Sequence, residues 1–298
     1  MQPQPEPPRG RPAENERPHW ATKVFEDVPH STTSLKHRRI SKCFGPSMSE
    51  ARQGIKPGST VLFKLPFDKN YLSVTANLEP DVPGATRILC RWMDTYTNPL
   101  YSCYGVHELC ISRTGSALQF RRYSVHRDRS TAWLALFFKT WEKMVLFHCA
   151  FVSLKARCPY TLRVNPSEYR LTGERVMFKG KIIDDKFCHS LTIFENEKNF
   201  AIRLQAAVGD GELKRCPVWT AFVTHQSTSP QWLYRRSKHR IWLMDIRLYV
   251  FCDNYRQSHQ RQRHGEFEIY FVDAEAADHF EEFFLPPDEI IDVVDEGG

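Results

Sequence analysis

Twice along this chain, short alternating segments give way to one stretch of helical period. Phe267, Ile269 and Phe271 alternate with Glu266, Glu268 and Tyr270, the pattern of a half-buried strand. Just beyond, Ala276, Ala277, Phe280, Phe283 and Phe284 recur at helical spacing. Upstream, Trp133 to Phe138 reads as a strand and Thr140 to Arg157 as a helix. The pattern predicts an α+β fold, mainly β, built as two units.

In the first unit, strands are expected at Thr60–Leu65 (ended by Pro66), Tyr71–Leu78, Arg87–Asp94, Val106–Ser112 and Leu118–Ser124. Gly115-Ser116 marks a hairpin turn between the last two. In the second, Arg175–Ile183 and Ser190–Glu195 flank a turn at Asp184-Asp185-Lys186. Phe200, Ile202, Leu204, Ala206 and Val208 alternate with Ala201, Arg203, Gln205 and Ala207, so one buried face is expected. Pro217–Thr224 follows as a strand, 225–240 as a long polar and basic loop, and Ile241–Phe251 as one bent strand or two short ones.

The helix from Thr140 has Thr140 as a candidate cap, Glu142 in its first turn, and Lys155 and Arg157 in its last. It is apolar nearly all round. A single sheet covers one side only, so the second unit is expected to cover the other. Trp141, Phe147, Phe151 and Leu154 are the expected interdomain residues, with Phe147 and Phe151 reaching beyond residue 160.

These patterns divide the chain into a disordered arm over 1–55, units over 56–158 and 159–285, and an acidic tail over 286–298. The arm is rich in Pro, Arg, Glu, Ser and Gln, and clustered apolar residues are few. A short ordered segment near Trp20 to Phe25 is the expected exception. The chain of 298 residues carries a formal net charge of +6. No apolar signal region opens it, and no run is long enough to span a bilayer. Nine scattered cysteines point to reduced thiols. A cytoplasmic protein is expected, with transient membrane association through its basic segments.

Several long segments resemble a known family in order: Leu62-Phe-Lys-Leu-Pro66, Thr140-Trp-Glu-Lys-Met-Val-Leu-Phe-His-Cys-Ala-Phe-Val-Ser-Leu-Lys-Ala156, Cys216-Pro-Val-Trp-Thr-Ala-Phe-Val-Thr-His-Gln226 and Trp242-Leu-Met-Asp-Ile-Arg-Leu-Tyr-Val-Phe-Cys252. The resemblance is to filamentous-fungal proteins with tandem pleckstrin-homology-like (PH-like) domains, and covers roughly 58–285. It implies two bent antiparallel sheets, each closed by one C-terminal helix. It implies little about activity, since fold alone does not fix function.

Two sets of residues are candidates for binding. Lys179, Lys181 and Lys186, with Arg256, Arg261 and Arg263, would serve an anionic lipid headgroup if they converged, because several phosphates need several cations in one cup. Asp184 and Asp185 would repel a phosphate there, and the competing reading is a solvated Lys/Asp hairpin. Trp232, Tyr234, Arg235, Arg236, Lys238 and Arg240 form an expected interaction loop, suited to a protein partner or, as an alternative, to nucleic acid. Cys103, His107 and Cys110, or Cys188 with His189, do not complete a metal site. No nucleophile elbow or phosphate-cradling loop occurs. The expectation is a non-catalytic interaction module with no cofactor and no small-molecule substrate. Protein partners come first, an anionic membrane surface second, and nucleic acid through 235–240 and 256–264 third.

Overall fold

A computed structural model of the chain describes residues 18–26, 32–47, 54–96, 98–124, 129–261 and 265–285. The chain is mainly β, with sixteen antiparallel strands and two α-helices among the described residues. In the first unit, β2 (Thr60–Phe67), β3 (Leu72–Leu78), β4 (Thr86–Met93) and β5 (Pro99–Gly105) form a meander. A second four-stranded sheet has the order β1-β8-β7-β6, with β1 at Lys42–Cys43, β6 at Leu109–Thr114, β7 at Ala117–Ser124 and β8 at Arg129–Phe137. β2 runs through Pro66 instead of stopping there. As an edge strand, β2 can carry a residue without an N–H on its free side. The expected strand at Val106–Ser112 starts later, because Val106–Glu108 forms a 3-10 turn.

The second unit is an eight-stranded sheet in the order β13-β14-β16-β9-β10-β11-β12-β15. These strands are β9 (Glu174–Asp184), β10 (Phe187–Asn196), β11 (Ile202–Val208), β12 (Pro217–Phe222), β13 (Leu233–Ser237), β14 (Arg240–Leu243), β15 (Tyr249–Val250) and β16 (Phe267–Phe271). The expected loop over 225–240 therefore contains a strand, and Ile241–Phe251 divides into two short ones. Helix α2 (Ala274–Phe284) lies over the inner face, where Phe280 packs on Phe178 and Phe271 at ring distances of 5.5 and 5.3 Å. At the β9–β10 turn, Asp185 and Lys186 take φ of 47° and 71°, as a tight hairpin requires. Asp184 is buried, and accepts hydrogen bonds from Trp219 Nε1 and, at 3.0 Å, from Tyr255 Oη. Asp185 accepts from the Arg256 backbone N–H at 2.8 Å.

Helix α1 (Trp141–Arg157) joins the units, and every residue from Met144 to Lys155 is buried. One face meets its own sheets. Phe147 packs on Phe25, Phe63, Phe120 and Phe138, and Phe151 packs on Phe120 at 5.1 Å. These ring contacts lie within the first unit, while the core that holds both side chains also takes in Leu171, Ala201, Tyr249 and Phe251. The opposite face reaches the second unit directly: Trp141 packs on Phe222 at 5.4 Å, the Cys149 thiol reaches Gln205, and the Ser153 hydroxyl donates to the Pro217 carbonyl. Leu154 is buried in the same core, which takes in Ala201, Tyr249 and Phe251 from the second unit. This also corrects the reading of β11. Arg203 and Gln205, expected on a solvent face, are 1% and 5% exposed because α1 covers that side.

Charge carried into the junction is paired. Arg203 makes a two-pronged bond to Glu174, 2.9 Å from Nε and 2.6 Å from Nη2. Lys155 donates to Glu168 at 2.8 and 2.9 Å and to the Leu109 carbonyl at 2.7 Å. Glu168 also accepts from the Ile111 and Asn165 backbone N–H groups, so this pair ties α1, β6 and the linker together. His148 is held neutral, its pKa pushed down to about 3 by burial and by the charge of Arg203.

The N-terminal arm is packed in two places: over Trp20–Phe25, the segment set apart as the exception, and over 33–44, where few contacts were expected. Trp20 donates its backbone N–H to Asp253 at 2.9 Å and packs edge-on to Phe251, while Phe25 packs on Phe63 at 4.8 Å. This segment therefore touches both units. Residues 33–44 form a strap antiparallel to the edge of β8. Trp141 N–H donates to the Thr33 carbonyl, Leu35 N–H to Lys139, and Phe44 N–H to Trp133, at 2.9, 2.8 and 2.7 Å. Thr140 precedes α1 but makes no capping hydrogen bond through its side chain. Instead the carboxylate of Glu142 accepts from Thr33 N–H at 2.9 Å and anchors the strap. The expected acidic tail lies outside the described residues.

Two outcomes follow for stability. Glu168→Gln leaves the Lys155 ammonium buried without its counter-charge, and is expected to cost about 3–5 kcal/mol. Lys155→Met/Glu168→Gln should recover part of that loss; strictly additive losses in urea titrations would contradict the coupling. The second concerns Asp184, whose pKa burial raises from 3.8 to about 6. Stability tied to its protonation is fully present below about pH 4 and is lost as pH rises through about 6. Relative to the parent, Asp184→Asn should therefore gain about 3 kcal/mol between about pH 4 and about pH 8. A difference that does not change with pH would refute this assignment.

Candidate functional site

Pairing register decides which polar side chains of the second unit share a face. Tyr234 pairs with Trp242 and Trp242 with Glu268, while Arg240 pairs with Tyr270 and Tyr270 with Ile183. Directly opposed residues in a sheet point the same way, and residues two apart on one strand do too. Lys179 and Lys181 therefore stand on the same face as Tyr234, Arg240, Trp242 and Tyr270. Phe178 and Ile182 alternate with them and face inward toward α2. The face is the outer surface of the sheet, away from the helix.

Its side chains are ordered by stacking. The Arg236 guanidinium lies over the Trp242 ring at 4.2 Å, and that of Arg240 lies over Tyr270 at 5.5 Å. His239 stacks on Tyr270 with centroids 5.9 Å apart. Glu268 accepts from Trp242 Nε1 at 2.9 Å and lies 3.8 Å from Arg240, which fixes both neighbours. A guanidinium on an aromatic face keeps its hydrogen-bond donors turned outward. Tyr234 is exposed beside this row.

The other expected interaction residues separate by role. Trp232 is buried, packed edge-on to Phe284 at 4.6 Å, and cannot meet a partner. Arg235 bonds Asp278 and Glu281 of α2 and the carbonyls of Ser237 and Lys238, so it fastens β13 to the helix. Lys238 is exposed in the β13–β14 turn.

The expected anion cluster does not form a cup. Lys186 and Arg256 share one end of the sheet, since the Asp185 carboxylate bonds the Arg256 backbone. Lys179 lies seven positions up β9, roughly 23 Å along an extended strand. Arg261 is committed to the carbonyls of Gly265 and Ile246 at 2.7 and 2.8 Å. Arg263 lies outside the described residues. Asp184 and Asp185 are turned inward and organise the loop over 253–260.

Sequence reasoning missed a second charged surface, on the strap. Lys36, Arg38, Arg39 and Lys42 are exposed there, yet they fall in a stretch whose composition reads as unstructured. Burial along the strap follows a period of two, with Ser41 and Cys43 inside and Ile40, Lys42 and Phe44 outside, and no apolar–polar alternation in the sequence signals it. Among the described residues, no group of three or more His, Cys, Asp or Glu side chains is placed to hold a metal ion. No helix among them is long and apolar enough to cross a membrane.

Searches of curated proteins and of solved structures return no match. Two domain families do match, over residues 48–174 and 175–289, each described as a PH domain found in tandem in fungal proteins. The junction near residue 174 coincides with the first residue of β9, where the eight-stranded sheet begins. Together the two matches span most of the chain, which therefore belongs to the fungal proteins that carry PH domains in tandem.

Proposed function

We propose that the protein is a non-catalytic interaction module of the cytoplasm, and that the outer face of its second sheet meets a protein partner. Each domain is taken to be a bent sheet closed by its following helix, α1 or α2, so that the free sheet faces carry recognition. The observation behind this reading is the row of Arg236 over Trp242 and Arg240 over Tyr270, flanked by exposed Tyr234. Arginine and aromatic side chains held in place lose little entropy on binding and are the residue types that concentrate interface energy. The fitting partner surface is apolar and acidic. Headgroup recognition by the second domain has less support, because its cations do not converge and Arg261 is spent on the backbone. A nucleic-acid reading loses its stacking tryptophan, since Trp232 is buried.

Affinity capture from the native cell extract, with quantitative mass spectrometry, tests this. Arg236→Glu/Arg240→Glu and Tyr234→Ala should each deplete the same captured protein by about tenfold or more, as loss of a central anchor does. Lys64→Glu, an exposed charge change on β2, should not. Indistinguishable capture profiles for all four proteins would end the proposal.

A further inference from the structure

The strap over 33–44 carries a surface that the partner-binding reading does not use. Two neighbouring grooves, of about 570 and 600 Å³, flank it. The first is lined by Arg38, Arg39, Lys42 and Arg121, with Ile40 and Phe44 at its rim. The second shares Arg38 and Arg39 and adds Lys36 and, from the second domain, Lys198. Among the described residues no carboxylate lines either groove. Asp68, which touches the strap, is spent on the Ser41 backbone N–H at 2.7 Å.

The backbone dictates what the strap presents. Ser41 and Cys43 are buried at 0% and 8% exposure, held by pairing of β1 with β8. With a period of two, Ile40, Lys42 and Phe44 must then point outward. Ile40 is 61% and Phe44 52% exposed. Lys42, Ala135 and Gln119 follow one another across the sheet, so the floor between the cations is uncharged.

We propose that this face of the first domain docks on an anionic bilayer surface, with Arg38, Arg39, Lys42 and Arg121 against the lipid headgroups and Ile40 and Phe44 entering the interface. Cations that surround protruding apolar tips suit a charged boundary with hydrocarbon beneath it. A phosphate backbone alone would leave Ile40 in water, because an aliphatic side chain offers no stacking plane to a base. The occupant is bulk bilayer charge, since the cations are spread along two neighbouring open grooves instead of closing round one headgroup. The proposal concerns a different domain face from the partner-binding row, so either can fail alone.

Co-sedimentation of the full chain with phosphatidylcholine vesicles containing about 30% phosphatidylserine tests it, at salt from about 0.05 M to about 0.5 M. Binding should fade as salt rises and be absent with pure phosphatidylcholine. Arg38→Glu/Arg39→Glu should weaken it about tenfold or more. Ile40→Ser/Phe44→Ser should weaken it at every salt concentration, and Lys179→Glu/Lys181→Glu should leave it unchanged. All these side chains are exposed, so the variants keep the core intact. The proposal is overturned by no binding at low salt, by equal binding to neutral vesicles, or by parent-like binding of either strap variant. It is also overturned by equal loss with the β9 variant, or if a DNA duplex at equal phosphate concentration strips the protein from vesicles.

Discussion

A helix with no polar face cannot be finished by the domain that contains it, and the architecture of this protein answers that constraint on α1. Its own sheets take Phe147 and Phe151. The remaining side, with Trp141 and Cys149, would face water in an isolated first domain, where burying each large apolar side chain forgoes roughly 1.5–3 kcal/mol if undone. β11 and β12 of the second domain close that side, and the core runs unbroken from Leu72 to Phe251. The N-terminal segment completes the enclosure, with Trp20 against Phe251 and Phe25 against Phe63. Two domains and an arm that look separable in sequence thereby share the core around α1, beside the second domain's own core under α2.

The junction is not purely apolar: across it the Cys149 thiol reaches Gln205 and the Ser153 hydroxyl donates to the Pro217 carbonyl, while the buried charges beside it are paired within their own side. Hydrophobic contact is indifferent to small sliding, whereas a buried guanidinium is not. Within the second sheet, under α1, Arg203 meets Glu174 along its fork and its third nitrogen finds Gln205. Lys155 reaches Glu168 only if α1, β6 and the linker are in register. Such pairs contribute little net stability over well-packed apolar residues, but loss of one member would leave a charge buried and unpaired. His148 follows the same logic from the other side: with no counter-charge, it is kept neutral.

Local pattern carried most of the fold. The strand-to-helix rhythm marked both helices and most strands, because alternation and helical period are written in neighbouring residues. Three things were not local. Arg203 and Gln205 look like solvent-facing strand positions, and only the distant helix buries them. Polar composition over 225–240 hid β13, which exists because its backbone completes an edge beside β14. The strap was unreadable for a related reason: its order comes from the free edge of β8 and from Glu142, more than ninety residues away in sequence. For the candidate sites, charge identified Arg236 and Arg240. It misplaced Arg235 and Arg261, which spend their donors on α2 and on loop carbonyls. Composition counts a cation. Only coordinates reveal whether its hydrogen bonds remain available.

The fused core also bears on how the outward faces operate. Domains joined by small polar interfaces move relative to each other by default, and the packing of α1 against both domains restrains that motion. Here the strap face of the first domain and the arginine–aromatic face of the second are carried on one body, so their separation and angle are set by packing instead of by a linker. A ligand that engages one face presents the other in a fixed direction. A second contact then gains effective concentration only for geometries that match, and gains none for the rest. Rigidity thus acts as a selectivity filter on any assembly that uses both faces, and its source is the unbroken packing around α1.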